Sequence, residues 1–256
     1  MRIFISFVFL GSLIVLCSAA SAAIPEELVL YMSFDGNTVG GGEVQDLSNY
    51  GNNGTIVGDP GVVPGYREDA LDFNGGDSVE IVTSESLAST ASAITMEAWV
   101  YTRADGTAEI ISKWDNAMNG IIHFEAASGG NMRFCMRRDD DSKAADFTTA
   151  AGGLDLETWV HVAEVYDGET ATVYFNGDEI QSVPGTGDMR ENENVKWWIG
   201  SMYATDRWFN GMIDEVCIWN KALSPGEIQQ SMEGSLVRTA VSSGDKLSTT
   251  WGRIKN

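Results

Sequence analysis

Basic residues are scarce in this 256-residue chain: 16 lysines and arginines stand against 37 aspartates and glutamates, a formal charge of −21 at pH 7. A surface that acidic repels phosphate backbones, which excludes nucleic-acid partners. It leaves open either plain solubility in salty surroundings or oxygen ligands for a divalent cation, and charge alone does not separate the two. Cysteine is scarce as well, at three. Cys17 falls in the apolar leader, and Cys135 and Cys217 sit inside strand-like runs at 132–136 and 213–219. Alternation there turns Phe134 and Met136, or Val216 and Ile218, to one face and the thiol to the other. Neither thiol falls where a disulfide between two sheets would lie, so unpaired thiols are the expectation.

Catalytic signatures are missing too. There is no Gly-x-Ser-x-Gly, no His-Glu-x-x-His and no phosphate loop. A glycoside hydrolase would want carboxylates at alternating positions of one strand, about 5–5.5 Å apart. Glu97 stands alone in ITMEAWVY and Glu125 alone in IIHFEA; Asp214 and Glu215 are adjacent and so point to opposite faces, and Asp139, Asp140 and Asp141 form a solvated loop. The only two histidines, His123 and His161, have no nucleophile or second ligand at a motif spacing and read as structural. Nothing in the residues asks for an enzyme. Beyond residue 23 no run is apolar enough to cross a bilayer.

What is present begins with a leader. Arg2, an apolar run over 3–16 and the small-residue string CSAASAA have the form of a secretory signal peptide over 1–22, cleaved after an Ala-x-Ala site at Ala20 and Ala22. A lipidated Cys17 would want a small residue before it, and Leu16 is bulky. The product is therefore expected to be secreted, in the periplasm or at the cell surface. The stretch WVHVAEVYDGETATVYFNGDEI then spells two strands and two tight turns. Val160 and Val162 alternate with His161, Ala171, Val173 and Phe175 with Thr172 and Tyr174, and Asp167-Gly168 and Asn176-Gly177 supply the turns. Further strands are expected at 28–34, 55–57, 70–73, 78–82, 94–101, 109–113, 121–125, 132–137, 195–200 and 211–219, with 37–54 a long polar loop. One helix start is convincing: Ser224 as cap, Pro225 in the first turn and Glu227 three residues on. So many strands with so few helices predict an all-β, two-sheet antiparallel sandwich over 26–233. The segment 234–256 changes sign to a net +3 through Arg238, Lys246, Arg253 and Lys255 against Asp245. This basic tail reads either as a loose extension or as a docking or sorting signal around KLSTTWGRIKN.

The runs TWVHVAEVYDGETATVYFNGDEI and IGSMYATDRWFNGMIDEVCIWNKALSPGEI, with ALDFNGGDSVEI, ITMEAWVY, LVLYMSFDGN and DLSNYGNNGTI before them, resemble the laminin-G-like, concanavalin A-like jelly-roll family of bacterial secreted proteins. The resemblance covers 28–233 and implies two stacked antiparallel sheets with long rim loops. Family members bind sugars, proteins or calcium, some relatives on the scaffold are glycoside hydrolases, and fold alone does not choose among these. In such jelly rolls the first and last strands are neighbours, which would bring Asp35 beside Asp214. Two such carboxylates could hold a structural Ca2+, completed by loop carbonyls and the amides of Asn37, Asn52 or Asn53, or could simply serve a turn and a strand entrance. For sugar binding the candidates are Trp114, Tyr203, Arg207 and Trp208, aromatic rings set among polar rim residues; the competing reading of each tryptophan is core or edge packing. The expected function is a non-catalytic recognition or adhesion module with a glycan or a protein surface as ligand, and a hydrolase of the same fold is the further alternative.

Overall fold

The computed structural model describes residues 24–115, 120–150 and 152–237. The segment expected to be a signal peptide, nearly all of the basic tail and Asn116 lie outside the described residues. In chain order the elements are β1 (Leu28–Met32), β2 (Val39–Gly40), β3 (Glu43–Val44), β4 (Gly54–Val57), β5 (Gly61–Pro64), β6 (Asp69–Asn74), β7 (Ser78–Ile81), α1 (Glu85–Ala88), β8 (Ile94–Thr102) and β9 (Ala108–Lys113). They continue with β10 (Ile122–Ala127), β11 (Asn131–Arg137), β12 (Lys143–Thr148), β13 (Trp159–Tyr166), β14 (Thr170–Phe175), β15 (Asp178–Pro184), β16 (Trp197–Ile199), β17 (Asn210–Trp219) and α2 (Pro225–Met232).

Two antiparallel sheets result. The first runs β15, β14, β13, β8, β17, β6, β5, with β1 also on β17; the second runs β12, β11, β10, β9, β16, β7, β4, β3, β2. Period-two alternation places the core between them. Ile94, Met96, Ala98 and Val100 of β8 face inward with Val160 and Val162 of β13, and meet Phe124, Phe134 and Ile111 from the second sheet. Of the adjacent tryptophans in β16, Trp197 fills the core and Trp198 turns to the outer face. The hairpin between β14 and β15 is made by Asn176 and Gly177, both at positive φ (50° and 83°), which Asn and Gly tolerate best. The strands given no range from the sequence are β2, β3, β5, β12 and β15, the last implied only by the Asn176-Gly177 turn before it. The first two are two-residue polar pieces inside the expected loop, too short to show a period, and the four-residue α1 escapes for the same reason.

The first and last strands are antiparallel neighbours, with Tyr31 opposite Cys217 and Met32 opposite Val216. One edge of β17 is shared: Asn210 to Ile213 pair with β6, and Val216 to Trp219 pair with β1. Between the two halves the register against β8 shifts at Asp214 and Glu215, where Glu215 takes φ 51°. This bulge splits the sheet edge and sets two carboxylates in the gap. The polar loop before β4 is tied down by Asp46, whose Oδ1 accepts from the Tyr31 amide (2.9 Å) and whose Oδ2 accepts from the Asn52 amide (2.7 Å).

Helix α2 closes the outer face of the first sheet. Leu223, Ile228 and Val237 pack on Leu28, Tyr31, Val165, Tyr174, Cys217 and Trp219, so the chain stays on the body past Glu233. Beneath α2 the buried Glu97 accepts from Trp219 Nε1 (2.8 Å) and from Ser231 Oγ, and His161 Nε2 lies 3.4 Å from its other oxygen. Cys135 and Cys217 are both buried and free, and they lie on the outer faces of different sheets with the whole core between them.

The capping box expected at α2 is complete: Ser224 Oγ accepts from the Glu227 amide and the Glu227 carboxylate accepts from the Ser224 amide (2.8 Å). Lys221 and Ser224 together hold the Glu227 carboxyl down at about 2. A folded pKa below the unfolded value adds stability that is present above about pH 4.5 and is lost as the pH falls toward 2. Glu227→Gln is therefore expected to have a melting temperature less sensitive to acid than the parent between pH 5 and 2.5, as measured by thermal unfolding across that range.

Candidate functional site

The outer face of the second sheet carries a cavity of about 480 Å³, lined by Glu80, Trp114, Asp115, Asn194, Lys196, Trp198, Tyr203 and Ala204. Its floor follows from register: Trp198 of β16 stands directly opposite Glu80 of β7 and Ser112 of β9. Tyr203 meets Trp198 edge-on at 5.6 Å, and Trp198 Nε1 donates to the Trp114 carbonyl (3.2 Å). Lys196 pairs with Glu80 at 2.5 Å and also lines the cavity. Aromatic edges, carboxylates, an amide and an ammonium thus converge on one space, which is the composition of a site for a polar ligand with apolar patches.

Two of the four expected sugar contacts, Trp114 and Tyr203, line this cavity. Trp114 is a wall rather than an open platform. His123 lies 4.2 Å from its ring centre and the Arg137 guanidinium 5.0 Å, and a Cβ on Gly120 would stand 1.7 Å from Cε3, so the glycine backbone presses on the ring. Arg207 and Trp208 are not among the lining residues; Trp208 is half-buried, and Arg207 turns instead to two glutamates. Trp198, next in the chain to the core residue Trp197, lines the cavity and is not among the contacts expected from the sequence. Its neighbour Trp197 was the available signal, since only one of the two fits the core.

Those glutamates form a buried ionic cluster beside the cavity. Glu125 of β10 stands directly opposite Glu109 of β9 and Arg133 of β11. A register shift between Phe124 and Glu125 sends both Ile110 and Ile111 to the core and turns Glu109 outward. Strict alternation would have buried Glu109 with Ile111, which is why a search along single strands saw no carboxylate pair. Arg133 binds Glu125 (2.9 Å) and Asp146 (3.1 Å), Arg207 binds Glu125 and lies 3.5 Å from Glu109, and His123 Nδ1 contacts Glu109. Burial and the neighbouring Glu125 hold the Glu109 carboxyl well above the usual range, while burial, Arg207 and Arg133 push His123 down to about 3. In this arrangement both glutamates face arginine: Arg207 Nη1 contacts Glu125 and lies 3.5 Å from Glu109.

Burial carries the Asp214 carboxyl up to about 8, with Glu215 and then Asp35 adding to the rise, so Asp35 and Asp214 lie within electrostatic reach of one another. Asp214 is fully buried; its Oδ2 accepts from the Arg67 amide (2.9 Å) and its Oδ1 has no hydrogen-bond partner. Asp69 joins them: its amide donates to Asp35 Oδ1 (3.3 Å), and its Oδ2 accepts from the Gly36 amide (3.1 Å). An all-oxygen, acidic set with an orphaned carboxylate oxygen suits a hard cation. Asn52 and Asn53 do not join it, because Asn52 Nδ2 donates to the Val29 carbonyl and Asn53 Oδ1 accepts from the Asp46 amide.

A further carboxyl sits inside the sandwich. Glu164 of β13 points into the core, has both oxygens without partners, and is held well above the usual range by burial and then by Glu109 and Glu125. A raised folded pKa gives stability that is full below the unfolded value and declines as the pH rises. Glu164→Leu is expected to be more stable than the parent at pH 7 by roughly 1–3 kcal/mol, the range for relieving an unsatisfied buried polar group. The gain should shrink at pH 4; urea unfolding at both values measures it.

Two stacked antiparallel sheets, one with an aromatic-walled cavity on its outer face, make this chain a jelly-roll sandwich. The chain belongs to the concanavalin A-like lectin/glucanases superfamily, whose family model matches residues 73–229. No protein of curated function matches the sequence. Among solved structures, the binding domain of Paraclostridial Mosquitocidal Protein 1 superposes with a TM-score of 0.66 at 18% identity, over 82% of this chain and 52% of that one. Domain 4 of AbnA, a GH43 extracellular arabinanase from Geobacillus stearothermophilus solved with arabinotriose, gives 0.63 at 21% identity, over 80% and 97%. The binding domain of botulinum neurotoxin DC, solved with rat synaptotagmin II, gives 0.64 at 16%, over 83% and 52%. The chain spans about half the length of the toxin domains it matches, and at these identities the likeness establishes the fold.

Proposed function

We propose that this chain is an exported, non-catalytic recognition module that holds a glycan in the cavity of Trp114, Trp198 and Tyr203. The observation that carries the reading is the cavity itself: it is lined by the aromatic rings of Trp114, Trp198 and Tyr203 together with Glu80, Asp115, Asn194 and Lys196, all able to hydrogen-bond hydroxyls. The sugar-bound arabinanase domain of the same fold supports the ligand class. In this reading Tyr203 is the adjustable contact, since it stands on the loop after β16 and is only partly buried. A glycan array with the wild-type protein identifies the ligand, and titration compares variants. Tyr203→Ala is expected to bind about 3–10-fold more weakly, matching the ~0.5–1.5 kcal/mol of an aromatic contact. Unchanged affinity would move the ligand off this cavity.

A protein ligand is the second reading, favoured by an aromatic patch on the other sheet. Tyr66 is 43% exposed and stacks on Trp99 at 3.4 Å, with Trp159 6.2 Å from Tyr66 and 5.7 Å from Tyr101. An array blank for every glycan, with a protein ligand lost on Tyr66→Ala, selects it.

Asp35 and Asp214 are proposed to hold a structural Ca2+ that bridges the split between β1 and β6. The buried, unpartnered Oδ1 of Asp214 supports this, because a cation there would compensate a charge otherwise expensive to bury. Asp35→Asn is expected to lower the melting temperature in calcium and to leave it nearly unchanged in chelator. An equal drop in both counts against the ion.

A further inference from the structure

We propose that Glu109, His123 and Glu125 form a site for a divalent transition metal of the zinc class, in which Arg207 is the built-in cation that the metal replaces. The trio offers one imidazole nitrogen and two carboxylate oxygens, all within 4.8 Å of one another. Zinc bonds to such donors are about 2.0–2.2 Å long and the ion is tetrahedral, so its donors stand roughly 3.3–3.6 Å apart. His123 Nδ1 and Glu125 Oε2 are 3.9 Å apart, and His123 Nδ1 and Glu109 Oε1 give up their direct contact to admit the ion. An imidazole nitrogen among the donors favours zinc and its neighbours over calcium or magnesium, which take oxygen. This separates the site chemically from the all-oxygen pair at Asp35 and Asp214.

The second observation is an orphaned donor. Glu109 is fully buried and its Oε2 has no hydrogen-bond partner, although Oε1 of the same carboxyl contacts His123. A carboxylate oxygen withdrawn from water and left unmatched costs stability that a bound ion would recover. His123 and Glu125 are equally enclosed, at 3% and 1% exposure, and His123 Nδ1 lies 3.9 Å from Glu125 Oε2.

Arg207 shows that the position wants positive charge and also how an ion would enter. Its Nη1 binds Glu125 Oε2 and lies 3.5 Å from Glu109 Oε1, so one guanidinium nitrogen touches both carboxylates an ion would bridge. The Arg207 side chain is 28% exposed, which lets it swing into solvent and uncover the trio. Arg133 stays behind on Glu125 Oε1 and Asp146, as an outer partner that orients the ligand. The site does not depend on the glycan reading.

The test is calorimetric titration of untagged, chelator-treated protein with zinc chloride and, separately, calcium chloride. Wild type is expected to take up one zinc at this site. Arg207→Gln, which removes the competing cation from a partly exposed position, is expected to bind at least about tenfold more tightly. His123→Gln is expected to lose at least about a hundredfold in affinity, with Glu109→Gln as the second variant should the first not fold by circular dichroism. Cobalt replaces zinc for a spectroscopic reading: visible bands in wild type that His123→Gln lacks. Calcium should neither displace zinc nor quench the cobalt bands. No zinc uptake by either wild type or Arg207→Gln overturns the proposal, and so does wild-type affinity in a folded His123→Gln or Glu109→Gln.

Discussion

The antiparallel pairing of the chain's first strand with its last organises the molecule. β17 lies beside β8 along one edge and divides the other between β6 and β1, so a single ten-residue strand joins both ends of the described chain to the centre of one sheet. Such a pairing is non-local, so it must offset the loop-closure entropy of nearly the whole domain. Its cost is local: where β6 hands over to β1 the ladder breaks, Glu215 enters the left-handed region, and Asp214 is buried with an oxygen unmatched. Arg67 spans the break, with its amide on Asp214, its guanidinium 3.9 Å from Glu215 and Nη2 on the Met232 carbonyl at the end of α2.

The two outer faces are treated differently, and function follows that difference. The first sheet is covered in part by α2 over an apolar cluster, leaving the stack of Tyr66 on Trp99 at its uncovered end. Among the described residues no helix covers the outer face of the second sheet; it carries Glu125, Arg133, His123 and Cys135 on neighbouring strands, and Trp198 with Glu80 further along. Outward side chains on such a face must satisfy one another or stay wet. At Glu109, Glu125, Arg133 and Arg207 they satisfy one another, and at Trp198, Tyr203 and Glu80 they border open space. Trp114 connects the two regions, since it walls the cavity and lies against His123.

Much of the architecture was legible because the signals were local. The alternation in ITMEAWVY and WVHVAEVY sorted inward from outward residues correctly, Asn176-Gly177 gave a hairpin, and Ser224 with Glu227 gave the helix start. The pairing of Asp35 with Asp214 came through resemblance to a family whose end strands are neighbours, not through any local pattern. Of the proposed sugar contacts, Trp114 and Tyr203 lie together, while Arg207, two residues before Phe209 in the same loop, turns to the other cluster. Loop side chains follow backbone turns that no periodicity encodes, and Tyr203, Ala204 and Arg207 all adopt positive φ.

By itself the sequence determined the all-β class, the inward face of each long strand and the strongly acidic surface, because each depends on residues a few positions apart or on composition alone. Tertiary structure alone decided that Glu109 and Glu125 meet, that Trp198 and not Trp197 borders the cavity, and that two cysteines of similar setting end on opposite sides of the core. Those outcomes hang on cross-strand register and on single-residue bulges. A bulge at Ile110 or at Asp214 reverses which way the neighbouring side chains point, and it is fixed by the partner strand rather than by the residues that carry it.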